Sequence, residues 1–136
     1  MGGADGAKYD MKKILVVEDH ADMRELLAWQ IELMGYVPIT ARLAKEGIEK
    51  AVAEQPDLIL MDVMMPEMDG REAVRELRAR PETKDIPILA ATALFRTTDL
   101  KSCFDAGCNG TIVKPFTFQE LQVKLREFIS PGDGAL

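Results

Sequence analysis

The stretch DLILMDVMMPEMDGREAVRELRAR occupies residues 57–80, and the way it divides decides the fold. Leu58-Ile59-Leu60-Met61 is a short continuous apolar run, the pattern of a strand buried on both faces. From Gly70 to Arg80 the pattern becomes helical, so a strand passes to a helix through one loop. Asp62 stands at the tip of that strand, before Met-Met-Pro and an acidic turn closing on Gly70. A carboxylate at the end of so apolar a run asks for a chemical reason.

The same alternation runs through the rest of the chain. Ile14-Leu15-Val16-Val17 reads as a first buried strand, and Met23, Leu27, Ile31 and Met34 form one stripe of a helix that Gly35 stops. Tyr36–Thr40 is a weaker strand, with Pro38 pointing to a sheet edge. A helix over Leu43–Ala53 is closed by Pro56. Ile88-Leu89-Ala90-Ala91 is the fourth strand, and Leu100, Cys103, Phe104 and Gly107 mark the fourth helix. Thr111-Ile112-Val113 and the stripe Phe118, Leu121, Leu125 and Phe128 complete the series. Five strands alternating with five helices predict right-handed βαβ crossovers and a doubly wound parallel α/β sheet covered on both sides.

With 136 residues the chain suits one domain around one core. Residues 1–10 read as a flexible leader, 11–130 as the domain and 131–136 as a flexible tail. A net charge of −6 opposes a phosphate backbone, so direct nucleic-acid binding is not expected. No apolar run reaches the ~20 residues of a membrane span and no signal-peptide core is present, which makes the cytoplasm the default location. Cys103 and Cys108 lack a CxxC spacing, and with His20 as the lone histidine they predict reduced structural thiols and no zinc site.

Ligands of doubly wound sheets bind beyond the carboxyl ends of the strands. Glu18-Asp19 follows the first strand, Asp62 the third, Thr92 the fourth and Lys114-Pro115 the fifth. Three carboxylates against one ammonium leave two negative charges uncompensated. Like charges ~4 Å apart cost about 4 kcal/mol at an effective dielectric of ~20, so stability alone would not gather them. A divalent cation would neutralise the set, and all-oxygen ligands favour Mg²⁺, with Mn²⁺ as a substitute. Such a site, with a lysine and a hydroxyl, is equipped for phosphoryl transfer. Asp62 would attack phosphorus, Lys114 and the cation would neutralise the equatorial oxygens, and Thr92 would donate to the product. Ala91 and Ala93 would leave room for the donor, and Pro66 and Gly70 would shape the loop that offers a carbonyl to the metal.

The motifs ILVVEDH, DLILMDVMMPEMDG, ILAATA and GTIVKPF, in this order, resemble those of receiver domains of two-component response regulators over roughly residues 11–130. The resemblance implies a flavodoxin-like five-stranded parallel sheet of order 2-1-3-4-5 with five helices. It implies Asp62 as phosphoacceptor, Glu18, Asp19, Asp62 and the Met64 carbonyl around Mg²⁺, Thr92 as switch hydroxyl and Lys114 as phosphoryl-binding amine. It further implies a phosphohistidine donor, either a histidine kinase or a histidine phosphotransfer domain, docking largely on the first helix. Transfer and hydrolysis would be self-catalysed, without turnover of a separate substrate. The face of helix four, strand five and helix five would change its affinity for a downstream protein, in a monomer or weak dimer. One position departs from the family: Thr111 stands where a Tyr or Phe usually turns inward, with Phe95 or Phe116 as substitutes.

Other readings are a degenerate receiver that binds partners without phosphorylation, a flavin protein, or an aspartate-nucleophile phosphatase. The phosphatase would place a second acid where Met64 stands, and a flavin site would replace Glu-Asp-His after strand one with glycines and hydroxyls. Outside the site, Asp69 is expected to cap the third helix, Met64 and Met65 to pack, and residues 71–80 to present a solvated charged face. Trp29 is expected to be partly buried, and His20 solvated or locally capping.

Overall fold

The computed structural model describes residues 11–65, 68–93 and 96–131. The predicted leader, most of the tail, and the roles considered for Pro66 and Phe95 therefore lie outside the described residues. The strands are β1 (Lys13–Val17), β2 (Val37–Ala41), β3 (Leu58–Asp62), β4 (Ile88–Thr92) and β5 (Gly110–Val113). The helices are α1 (Ala21–Leu33), α2 (Ala44–Glu54), α3 (Gly70–Ala79), α4 (Thr97–Ala106) and α5 (Phe118–Phe128).

All strand pairs are parallel, in the order β2-β1-β3-β4-β5, as expected. β1, β3 and β4 are interior strands, and β3 and β4 are buried along their whole length. That explains the uninterrupted apolar runs: a strand covered on both sides has no face to spare for polar residues. Pro38 lies in β2, at the sheet edge, where the missing N–H costs no ladder bond on the open side.

Strand alternation sorts the core into two layers. Leu15, Val17, Ile59, Met61, Ile88 and Ala90 point to the side covered by α2, α3 and α4. Ile14, Val16, Leu58, Leu60, Leu89, Ala91 and Ile112 point to the side covered by α1 and α5. Tyr36, just before β2, is fully buried, and its hydroxyl donates to the Ile129 carbonyl at 3.0 Å beyond the end of α5. Gly35 ends α1 with φ 96°, and Gly107 ends α4 with φ 120°, a conformation that favours glycine.

Four expectations about side chains are corrected. Trp29 is 61% exposed and Met64 56% exposed, so neither packs; Met65 does, against the α2–α4 layer. Phe104 of the α4 pattern is also exposed, leaving Cys103 and Ala106 as the buried residues of that helix. The charged helix α3 is not uniformly solvated. Arg78 reaches over its end and donates to the carbonyls of Gly107 (2.9 Å), Lys84 (2.9 Å) and Ile86 (2.7 Å) and to Asn109 Oδ1 (2.7 Å). Burial lowers its pKa against the raising influence of Cys108 and Asp85, and these acceptors tie the loop before β4 to the loop before β5. Cys103 and Cys108 are free and buried, and desolvation pushes the Cys108 thiol up to about 12.

Candidate functional site

Because the strands are parallel, their carboxyl ends share one rim. The chain winds from β1 outward to β2, then returns to β3 on the other side, so the crevice opens between β1 and β3. Asp62 is the last residue of β3, and Glu18 follows β1. Thr92 ends β4, and Lys114 follows β5, where its N–H donates to the Thr92 carbonyl at 2.8 Å. The Lys114–Pro115 peptide is cis.

The predicted acids converge. Glu18, Asp19 and Asp62 each offer a carboxylate oxygen within 4.8 Å of the others. Glu18 is 3% and Asp62 6% exposed, whereas Asp19 faces solvent. Lys114 Nζ donates to Glu18 Oε1 at 2.8 Å and lies 3.5 Å from Asp62 Oδ1. Asp62 Oδ1 also accepts from the Met64 N–H at 3.1 Å, which fixes the start of the β3–α3 loop. Glu18 Oε2 accepts from the His20 N–H at 3.1 Å. His20 is the residue before α1, and its side chain makes no capping bond there.

The electrostatics divide the two buried acids. Desolvation pushes Asp62 up to about 6, and the neighbouring Glu18 adds to the rise against the opposing pull of Lys114 and the Met64 N–H. Desolvation also acts against ionised Glu18, yet its bonds from Lys114 and His20 outweigh that and hold its pKa below the usual value. Burial opposes the charge on Lys114, but Glu18 and Asp62 together raise its pKa. Lys114 is thus a fixed cation, Glu18 a fixed anion, and Asp62 an acid short of positive charge. An all-oxygen donor set with excess negative charge fits a hard divalent ion.

Two neighbours hold this arrangement. Arg24 of α1 donates to the carbonyls of Glu18 (3.0 Å) and Asp19 (3.3 Å), fixing the acidic turn. Gly70 opens α3 so close to β3 that an added Cβ would lie 2.5 Å from the Asp62 carbonyl oxygen and 2.8 Å from Val63 Cα. Its N–H donates to the Val63 carbonyl at 3.0 Å. Asp69 caps α3 as expected, accepting from the Arg71 N–H at 2.8 Å. Of these, Arg24 was not singled out from sequence: its acceptors are main-chain oxygens, and no side-chain pattern announces them. Thr92 is fully buried beside the site, and Thr111 is partly buried on β5. Phe116, offered as a substitute aromatic, packs against the α1–α5 layer, and Ala93 lines a cleft with Met23, Leu26, Lys114 and Phe116.

A doubly wound sheet of this order, carrying an acid triad and an invading ammonium at its switch point, defines a phosphoacceptor class of α/β domain. The chain belongs to the response regulator receiver domain family, whose model matches residues 14–126. It is a receiver domain of response regulators, the phosphoryl-accepting signalling module of two-component systems. Its sequence is 36% identical over 122 residues to the probable transcriptional regulator ycf27 of Pyropia yezoensis, covering 90% of this chain and 49% of that protein. The chain thus spans about half the length of such relatives. Among solved structures it resembles chemotaxis protein CheY4 of Vibrio cholerae, at TM-score 0.84 and 31% identity over 88% of this chain and 99% of that one. It is also similar to the receiver domain of sensor histidine kinase PA1611 from Pseudomonas aeruginosa, which carries magnesium in its active site cleft. There the TM-score is 0.80 and the identity 32%, covering 87% and 97% of the two chains.

Proposed function

We propose that Asp62 accepts the phosphoryl group, within a receiver unit spanning residues 11–130. The observation that carries this is the position of Lys114, bonded to Glu18 at 2.8 Å while standing 3.5 Å from Asp62. An ammonium in that place can follow negative charge from the carboxylate to an attached phosphoryl. Asp62 attacks phosphorus through a carboxylate oxygen, the bond to the donor nitrogen breaks, and an acyl phosphate forms. Thr92, next in β4 after the Ala91 paired with Asp62, is the switch hydroxyl that donates to the new oxygens. Glu18, Asp19, Asp62 and the Met64 carbonyl would hold Mg²⁺, or Mn²⁺ in its place. When bound, the cation would supply the positive charge that the acid triad lacks and that the phosphoryl oxygens gain.

The donor is a phosphohistidine of a histidine kinase or a histidine phosphotransfer domain, and loss of the phosphoryl to water is self-catalysed on the same residues. The output is altered affinity for a downstream protein, without direct nucleic-acid contact by this acidic domain. A cytoplasmic placement accords with this donor chemistry; among the described residues no helix is long and apolar enough to cross a membrane.

Incubation with Mg²⁺ and acetyl phosphate, followed by intact mass measurement, tests the proposal. A single phosphoryl adduct, abolished by Asp62→Asn and by chelation, is expected. A protein that stays unmodified with every donor, or an adduct retained in Asp62→Asn, would leave a binding module that works without Asp62.

A further inference from the structure

α4 is the helix with the thinnest apolar anchor. It buries Cys103 and Ala106, two small side chains, whereas α3 buries Ala73, Val74 and Leu77 with Gly70. Elements held by little buried apolar surface open and shift most easily. What else holds α4 in place then decides what can move it.

Within Thr97–Ala106, among the described residues, one side chain has a hydrogen bond or ion pair with another element. Ser102 Oγ accepts from Arg71 Nη1 at 2.8 Å. The other polar contacts of α4 side chains stay inside the helix: Lys101 with Asp105, and Ser102 Oγ donating to the Asp99 carbonyl. Arg71 itself is held on its opposite side. Its Nε donates to Asp69 Oδ1 at 3.0 Å and its Nη2 to Asp69 Oδ2 at 2.7 Å. A guanidinium paired in this two-pronged way is planar and rigid, so the direction of its third nitrogen is set by the carboxylate.

Asp69 is in turn coupled to the phosphoacceptor strand. It is the N-cap of α3, and the next residue, Gly70, rests on the backbone of Asp62 and Val63 and bonds to the Val63 carbonyl. A shift of the Asp62–Val63 backbone therefore turns the Asp69–Arg71 unit through Gly70, and Arg71 hands that turn to Ser102. We infer that Arg71 is a positioning residue that links the phosphorylation state of Asp62 to the placement of α4, in a chain whose Thr111 provides no aromatic ring for that task. The inference rests on the reading of Asp62 as phosphoacceptor.

The test uses the whole chain labelled with ¹⁵N, saturated with beryllofluoride and Mg²⁺ as a stand-in for the phosphoryl group. Wild type is compared with Ser102→Ala and Arg71→Met. The first variant removes only the α4 end of the link and keeps the Asp69–Arg71 pair. Amides of Asp62–Met64 and of Thr92 are expected to shift fully in all three proteins. Amides of Leu100–Ala106 are expected to shift in wild type and by less than half as much in both variants. Full α4 shifts in Ser102→Ala overturn the link, because the polar connection is then dispensable. Absence of any beryllofluoride response in wild type overturns the phosphoacceptor reading and the link with it, a result distinct from the first.

Discussion

Replacing Asp62 with asparagine preserves the shape of the side chain, removes its capacity to ionise and turns one acceptor oxygen into an amide donor. In the metal-free protein the folded state raises this carboxyl from 3.8 to about 6, chiefly by desolvation. An acid whose pKa is raised on folding contributes stability that is fully present below its unfolded value and lost as pH climbs through the folded one. A rise of roughly two units corresponds to about 3 kcal/mol, with the full loss reached above pH ~7. About half of it falls between pH 5 and 8. Glu18 has the opposite sign, since its lowered pKa adds stability above its unfolded value, but the Lys114 and His20 bonds that chiefly lower it are present in both proteins. Urea unfolding of wild type and Asp62→Asn with a chelator at pH 5 and pH 8 reads the difference directly. The variant is expected to be the more stable at pH 8, with its advantage over wild type smaller by about 1–2 kcal/mol at pH 5. An advantage that is the same at both pH values, or larger at pH 5, refutes the argument that burial leaves Asp62 short of positive charge.

Mg²⁺ at ten times its dissociation constant is expected to stabilise wild type by about 1.4 kcal/mol, seen as a rise in thermal midpoint that Asp19→Asn loses. Gly70→Ala pushes a methyl to 2.5 Å from the Asp62 carbonyl oxygen, and overpacking of this kind costs about 1–3 kcal/mol in denaturant titrations. The same variant should slow labelling by acetyl phosphate, because the acceptor backbone must shift. Arg78→Met strands the carbonyls of Gly107, Lys84 and Ile86 and is expected to cost roughly 2 kcal/mol in the same titration while leaving phosphorylation at Asp62 intact.

The sheet was legible because β1, β3 and β4 have no solvent face, so their sequences are unbroken apolar runs with sharp ends. Acids placed just past those ends needed only the parallel topology to bring them together. The raised pKa of Asp62 was not legible, since it depends on how deeply the rim buries that carboxyl and on Glu18 competing for the same ammonium. Arg78 was read as part of a solvated charged face and Arg24 was not singled out, because their acceptors are mostly main-chain carbonyls, which leave no mark in the side-chain pattern. Asp69 was correctly read as a cap, yet its second role with Arg71 needed the position of α4. Trp29 shows the converse limit: its place off the apolar stripe was visible, but its degree of exposure was not.

The division of the core by the sheet has a consequence for traffic on this molecule. α1 covers one side and α4 the other, with the phosphorylation rim between them. A donor gripping α1 would therefore leave α4 uncovered, and a reader of α4 could bind before the donor departs.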